Sequence, residues 1–188
     1  LGLDPELSGD SLRVLMVTAL TLPPSEVYEH GIAAITYRGE RPSDAAGVAD
    51  AKIGNYLLAV LALRAARARG AREALIEDVH GHILEGAASN VFAVFAGKLR
   101  TPPESAAILP GITRGHVLEL ARAAGMQVEL CAISKAELVA AQEVFVSSSI
   151  RELVPVVSID GQPVGNGMPG PTTRQLLRSY RERATAGR

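Results

Sequence analysis

The longest unbroken apolar run in this sequence is Tyr56 to Leu63, far short of the ~20 residues a membrane span needs. Everywhere else the apolar residues fall in short runs cut by Gly, Pro or polar pairs. Such a chain buries them only by packing many short elements round a common core. Leu12 to Leu20 reads as a buried strand that stops at Pro23-Pro24, a pair that stiffens the backbone and suits an interdomain hinge. Gly31 to Tyr37 is a second strand, followed by a polar loop from Arg38 to Asp50. Tyr56 to Arg69 reads as a helix stopped by Gly70, apolar almost all round as far as Leu63, which suits burial on several sides.

Three strands follow, at Glu73–Val79, Val91–Ala96 and Leu99–Thr101, with turns at His80-Gly81 and Gly97-Lys98. A helix spans Thr113 to Ala124, and Gln127 to Ile133 alternates as a strand. Ser134-Lys135-Ala136-Glu137 is a capping box that opens a short helix. Glu143–Ser147 and Val154–Ile159 are strands, Asp160-Gly161 is a turn, and Pro171 to Glu182 is the last helix. Helices and strands interleave irregularly, so the fold class is mixed α/β without the even beat of a doubly wound sheet.

At 188 residues the chain suits one compact domain, or one domain with a fragment of another. It begins with Leu rather than Met and enters a strand-like stretch almost at once, as a piece of something longer would. The 19 Lys and Arg balance 20 Asp and Glu, so no one-signed field favours nucleic acid or an anionic membrane. The single cysteine, Cys131, excludes an intrachain disulfide and points to a reducing, cytoplasmic setting.

Two motifs invite a functional reading and fail it. Gly165-Asn166-Gly167-Met168-Pro169-Gly170 has dinucleotide-loop spacing, but Pro169 removes a needed donor and too little chain follows for a βαβ unit. His80-Gly81-His82 has only Glu77 and Asp78 as companions on the same turn and reads as a solvated hairpin. Lysine usage is more telling, with three lysines beside sixteen arginines. Lys98 and Lys135 occupy ordinary surface places, whereas Lys52 stands just before the apolar helix. An amine can form a Schiff base and a guanidinium cannot; by itself, the position also fits a plain structural lysine.

The company of Lys52 carries a resemblance. Lys52-Ile53-Gly54-Asn55-Tyr56 is followed in order by Glu85-Gly86-Ala87-Ala88-Ser89-Asn90-Val91-Phe92, Thr101-Pro102-Pro103 and Leu109-Pro110-Gly111-Ile112-Thr113-Arg114. Glu143-Val144-Phe145-Val146-Ser147-Ser148-Ser149, Pro155 and Gly167-Met168-Pro169-Gly170-Pro171-Thr172 complete the series. From about residue 25 to the end, the chain resembles the fold-type IV, class IV pyridoxal-phosphate aminotransferases. That family comprises branched-chain and D-amino-acid aminotransferases and aminodeoxychorismate lyases. Branched-chain members also carry the tyrosine of Tyr56, usually after one more residue than here, which leaves the subfamily open.

The resemblance implies pyridoxal 5'-phosphate as cofactor and a role for each matching residue. Lys52 would carry the cofactor covalently and, once released, move the substrate α-proton. Glu85 would face the pyridine nitrogen and keep it protonated, and the Tyr56 hydroxyl would bond the ring oxygen. The N–H groups of Ile112 and Thr113 would cup the phosphate, as a helix N-terminus does for anions. Ser148 and Ser149 would line that cup, and the N–H groups of Ile150 and Arg151 would receive the substrate carboxylate.

Residues 25–188 would then be the large cofactor-binding domain. Residues 1–24 would be the tail of a smaller N-terminal domain and its hinge, and that domain would supply an arginine to the phosphate. Family members are homodimers, and the same association is expected here. The expected activity is amino-group transfer between an amino acid and a 2-oxo acid. The alternatives are a lyase releasing pyruvate from aminodeoxychorismate and a non-catalytic relative.

Overall fold

The computed structural model describes Gly9, residues 13–39 and residues 56–186. Elements follow the chain as α1 (Glu26–His30), β1 (Ile32–Arg38), α2 (Leu57–Ala68), β2 (Glu73–Glu77), β3 (His82–Gly86), β4 (Asn90–Phe95) and β5 (Lys98–Thr101). Then come α3 (Ile112–Ala123), β6 (Val128–Leu130), β7 (Ile133–Ser134), α4 (Lys135–Ala140), β8 (Glu143–Ser148), β9 (Glu152–Ile159), β10 (Gln162–Pro163) and α5 (Pro171–Ala186).

The strands form one mixed sheet in the order β6-β5-β4-β8-β9-β1-β2-β3-β7, with β10 added on β9. β6 and β7 stand at opposite ends of that order, yet only Cys131 and Ala132 separate them in the chain. Two residues reach only a few ångströms, so the sheet curls until its edges meet. The stretch expected as one strand, Gln127 to Ile133, is thus two, each paired with a different edge: β6 with β5 and β7 with β3.

Three apolar clusters follow from this closure. Ile32, Ala34, Leu75, Ile83, Val91 and Val146, among others, fill the inside of the curled sheet. On the outside, Phe92 and Phe145 stack with ring centroids 4.8 Å apart under α3 and α5. A separate patch of Ile35, Ala74, Ile76 and Leu84 lies under Ala62 and Ala66 of α2. Because both faces are covered, strands such as β4 and β8 read as continuous apolar runs. β3 gives no such signal, because its apolar run is only two residues long: Ile83 packs inside and Leu84 outside, across a register shift against β2.

Two further expectations are corrected. The described part of Leu12 to Leu20 forms no strand, and Val14, Leu15, Met16 and Val17 are exposed. A strand needs a partner, and no described strand pairs with this stretch. The helix expected to be buried on several sides, α2, rests on one sheet face through its alanines. Leu57, Val60 and Leu61, spaced to share a face, are 64%, 50% and 40% exposed. The Ser134 capping box forms as expected, and so does the turn at Asp160-Gly161 that joins β9 to β10.

Candidate active site

Strand directions gather the family-matched segments. β1, β2 and β9 run parallel, β3 opposes β2, β8 opposes β9, and β4 opposes both β8 and β5. The ends of β3, β5 and β8 and the starts of β2, β4 and β9 therefore share one end of the sheet. The turn from Glu85 to Asn90, the loop from Pro102 to Gly111 and the loop from Ser149 to Arg151 all emerge there.

Glu85 is buried near the end of β3, in register with Ile76 under α2. Its Oε2 accepts the Leu109 N–H at 3.0 Å and the Asn90 side-chain amide at 3.4 Å. The same Asn90 amide donates to the Leu109 carbonyl at 2.8 Å, so Leu109 is held at both backbone groups. Two residues on, Gly111 lies so close to Asn90 Oδ1 that a Cβ there would collide with it.

Gly111 is the N-cap of α3 and offers no side chain to the first helical amides. Ile112 points outward and Thr113 is buried. Arg114, almost fully buried, anchors this helix start by donating to the Pro102 carbonyl at 2.9 Å and to Glu104 at 3.0 Å. Asn90 and Arg114 lie inside the matched segments, but no role could be read for them. The carbonyls they hold, of Leu109 and Pro102, stand 19 and 12 residues away and leave no local pattern.

Ser147 pairs in register with Asn90, which brings the end of β8 beside this linkage. Its hydroxyl is buried and has no hydrogen-bond partner among the described residues. The Ser148 hydroxyl accepts the Arg151 N–H at 3.3 Å, while the Ile150 side chain is exposed. Direct bonds thus join Glu85 and Asn90 to the segment leading into Ile112 and Thr113. Ser148, Ser149, Ile150 and Arg151 adjoin through the sheet. Tyr56 is half-exposed at the start of α2, and Lys52 lies outside the described residues.

The donor set fits pyridoxal 5'-phosphate: uncapped amides of α3 for a dianion, and the Glu85 carboxylate for a protonated ring nitrogen. Among the described residues no cluster of metal-ligating side chains occurs, and no helix is long and apolar enough to cross a membrane. The glycine motif before α5 has a different use. The buried Glu143 carboxylate accepts the N–H groups of Thr172 and Thr173 at 2.9 and 2.8 Å, taking the amides a pyrophosphate would need. Gly170 is packed against that carboxylate, where a Cβ would not fit.

The chain is 39% identical over 157 residues to the branched-chain-amino-acid aminotransferase of Escherichia coli K12, covering 83% of this chain and 51% of that protein. It is 40% identical over 164 residues to the D-alanine aminotransferase of Bacillus licheniformis, covering 85% and 56%. The fold superposes with a TM-score of 0.82 and 33% identity on the T.th. branched-chain amino acid aminotransferase with pyridoxamine 5'-phosphate, covering 89% of this chain and 55% of that one. The chain spans about half the length of these relatives. The model of the class IV amino-transferases matches residues 3–159, and it is to that family that the chain belongs.

Proposed function

We propose that this chain is the cofactor-binding part of a pyridoxal-phosphate-dependent aminotransferase that moves an amino group between an amino acid and a 2-oxo acid. The observation that carries it is the linkage of Glu85 through Leu109 and Asn90 to the uncapped start of α3. One short path joins a carboxylate suited to a ring nitrogen with amides suited to a phosphate. The names of the relatives above, branched-chain and D-alanine aminotransferases, support amino-group transfer over the lyase alternative.

Bound pyridoxal 5'-phosphate supplies an electron sink conjugated to the substrate α-carbon. The chain's own groups do the rest. Lys52 holds the cofactor and moves the α-proton, and Glu85 keeps the ring nitrogen charged. The Tyr56 hydroxyl steadies the ring oxygen. The Ile112 and Thr113 amides bind phosphate beside Ser148 and Ser149, and the Ile150 amide takes the substrate carboxylate, joined by the Arg151 amide once that N–H turns from the Ser148 hydroxyl.

Residues 25–188 form the cofactor-binding unit in this reading, and the exposure of the described residues before Pro23 supports placing 1–24 outside it. The exposed apolar face of α2 supports a homodimer. The lone Cys131 supports a cytoplasmic setting.

The test pairs a spectrum with an assay. Wild-type protein develops visible absorption with pyridoxal 5'-phosphate; Lys52→Ala abolishes it and Lys52→Arg does not restore it. An unchanged band in Lys52→Ala overturns the role of Lys52. Branched-chain and D-amino acids are then offered with 2-oxoglutarate, beside aminodeoxychorismate alone. Pyruvate release from the latter without an acceptor would replace the transferase reading with the lyase.

A further inference from the structure

Glu73 opens β2 with no solvent exposure, on the inner side of the curled sheet, and the reaction outlined above leaves it without a part. Its Oε1 accepts the N–H groups of Ala74 at 2.9 Å and Ala87 at 3.3 Å. Its Oε2 accepts the Ser89 hydroxyl at 2.9 Å and the Arg151 guanidinium at 2.7 Å. Beneath Gly86 the space for a Cβ is taken by Ser89 and the Glu73 carboxylate. One carboxylate thus ties the turn that follows Glu85 to the loop that carries Ile150 and Arg151.

Arg151 is pinned at its backbone and its side chain alike. Its N–H donates to the Ser148 hydroxyl at 3.3 Å, its carbonyl accepts from the Tyr28 hydroxyl at 3.3 Å, and its guanidinium grips Glu73. Burial and the nearby Glu152 carboxylate push the Tyr28 pKa up, which keeps that hydroxyl a donor. A buried ion pair adds little net stability, because desolvation offsets attraction, but it fixes geometry well.

We infer that Glu73 is a positioning residue that acts through Arg151, holding the carboxylate-binding amides of Ile150 and Arg151 at a set distance from Glu85. It touches neither substrate nor cofactor. The inference rests on the aminotransferase reading for what those amides bind, and it is tested so that the two can fail separately.

The variants are Glu73→Gln, Arg151→Met, their double, and Arg151→Lys. Amide hydrogen exchange at Arg151, whose N–H is bonded to Ser148, followed without cofactor, is expected to speed up about tenfold in each of the first two. In the cofactor-loaded protein, affinity for 4-methylvalerate, a carboxylate that cannot react, falls about tenfold in each single variant. The double variant falls no further, and Arg151→Lys recovers most of the loss. Cofactor affinity stays within about twofold, which a general loosening of the fold would not allow.

Unchanged exchange, unchanged 4-methylvalerate affinity, or additive losses in the double variant overturn the inference. Should Glu73→Gln not fold, Arg151→Met carries the same comparison, because that side chain is partly exposed. Failure of the aminotransferase reading shows instead in the wild type, as no visible band with pyridoxal 5'-phosphate, and leaves the exchange result standing.

Discussion

Leu109 is gripped at both ends of its backbone by two side chains that also bond each other: its N–H by Glu85 at 3.0 Å and its carbonyl by Asn90 at 2.8 Å. The carboxylate that would face the ring nitrogen and the loop that starts the phosphate cup therefore move together. Glu85→Gln tests the charge while keeping an acceptor for the Leu109 N–H. The variant is expected to retain its visible absorption and lose about a hundredfold in turnover, the scale on which a preorganised charge contributes. Wild-type turnover in a steady-state assay would place the ring-nitrogen partner elsewhere.

Gly111→Ala probes the other end of the same linkage. Its backbone φ of −65° suits any residue, so the only cost is the collision of the new methyl with Asn90. Displacing Asn90 shifts the first amides of α3, and charge-assisted hydrogen bonds there are worth ~1.5–3 kcal/mol each. A titration with pyridoxal 5'-phosphate is expected to show roughly ten- to a hundredfold weaker binding. Equal affinity would mean that the phosphate sits away from α3.

The exposed face of α2 gives a prediction about association. Leu57, Val60 and Leu61 would be covered in the proposed homodimer, and Val60→Lys places a charge in the middle of them. Sedimentation is expected to show the dimer dissociation constant raised at least about tenfold, with the visible spectrum intact in the monomer. A wild-type protein that sediments as a monomer at high concentration ends the proposal.

The capping box at Ser134 yields a pH signature. Glu137 accepts from the Ser134 N–H at 2.9 Å and its hydroxyl at 2.7 Å, which holds its carboxyl below the usual range. A depressed folded-state pKa means stability that is present above the unfolded value, about 4.3 for Glu, and lost as pH falls through the folded value. Ser134→Ala is expected to cost about 1 kcal/mol near neutrality, less where solvent screens this exposed pair. The difference in Tm between wild type and variant narrows as pH drops below about 4 but does not vanish, since the Ser134 hydroxyl also accepts the Glu137 N–H. A gap that widens in acid would contradict the cap.

Local chemistry was legible in the sequence, and contacts between distant segments were not. The capping box and the turn at Asp160-Gly161 are short-range patterns, and β4, β8 and β9 announce themselves as apolar runs covered on both faces. The stretch before Pro23 reads as a strand because its apolar residues imply a partner, and apolar content alone cannot say whether one is within reach. On α2 the composition was plain, but which side faces the sheet depends on Ala62 and Ala66 fitting closely over β1 and β2. Glu73 and Arg151 stand 78 residues apart, so no window of sequence contains their pairing. Glu85, Ile112 and Thr113 could be singled out only because the segments round them match a family.

The place of β1 in the sheet bears on how a ribosome makes this chain. One flank of β1 is filled by β2, soon after it in sequence, while the other waits for Val156 and Ile159. At translation rates of about 5–20 residues per second, that flank stays open on the order of ten seconds. Contacts of such long range also slow folding once the chain is complete, because distant segments must meet before any pairing rewards them. An unsatisfied row of N–H and C=O groups invites a neighbouring nascent chain during that interval. The interval before β9 emerges is thus the one in which β1 lacks its second partner, and a rare-codon pause placed before β9 lengthens it.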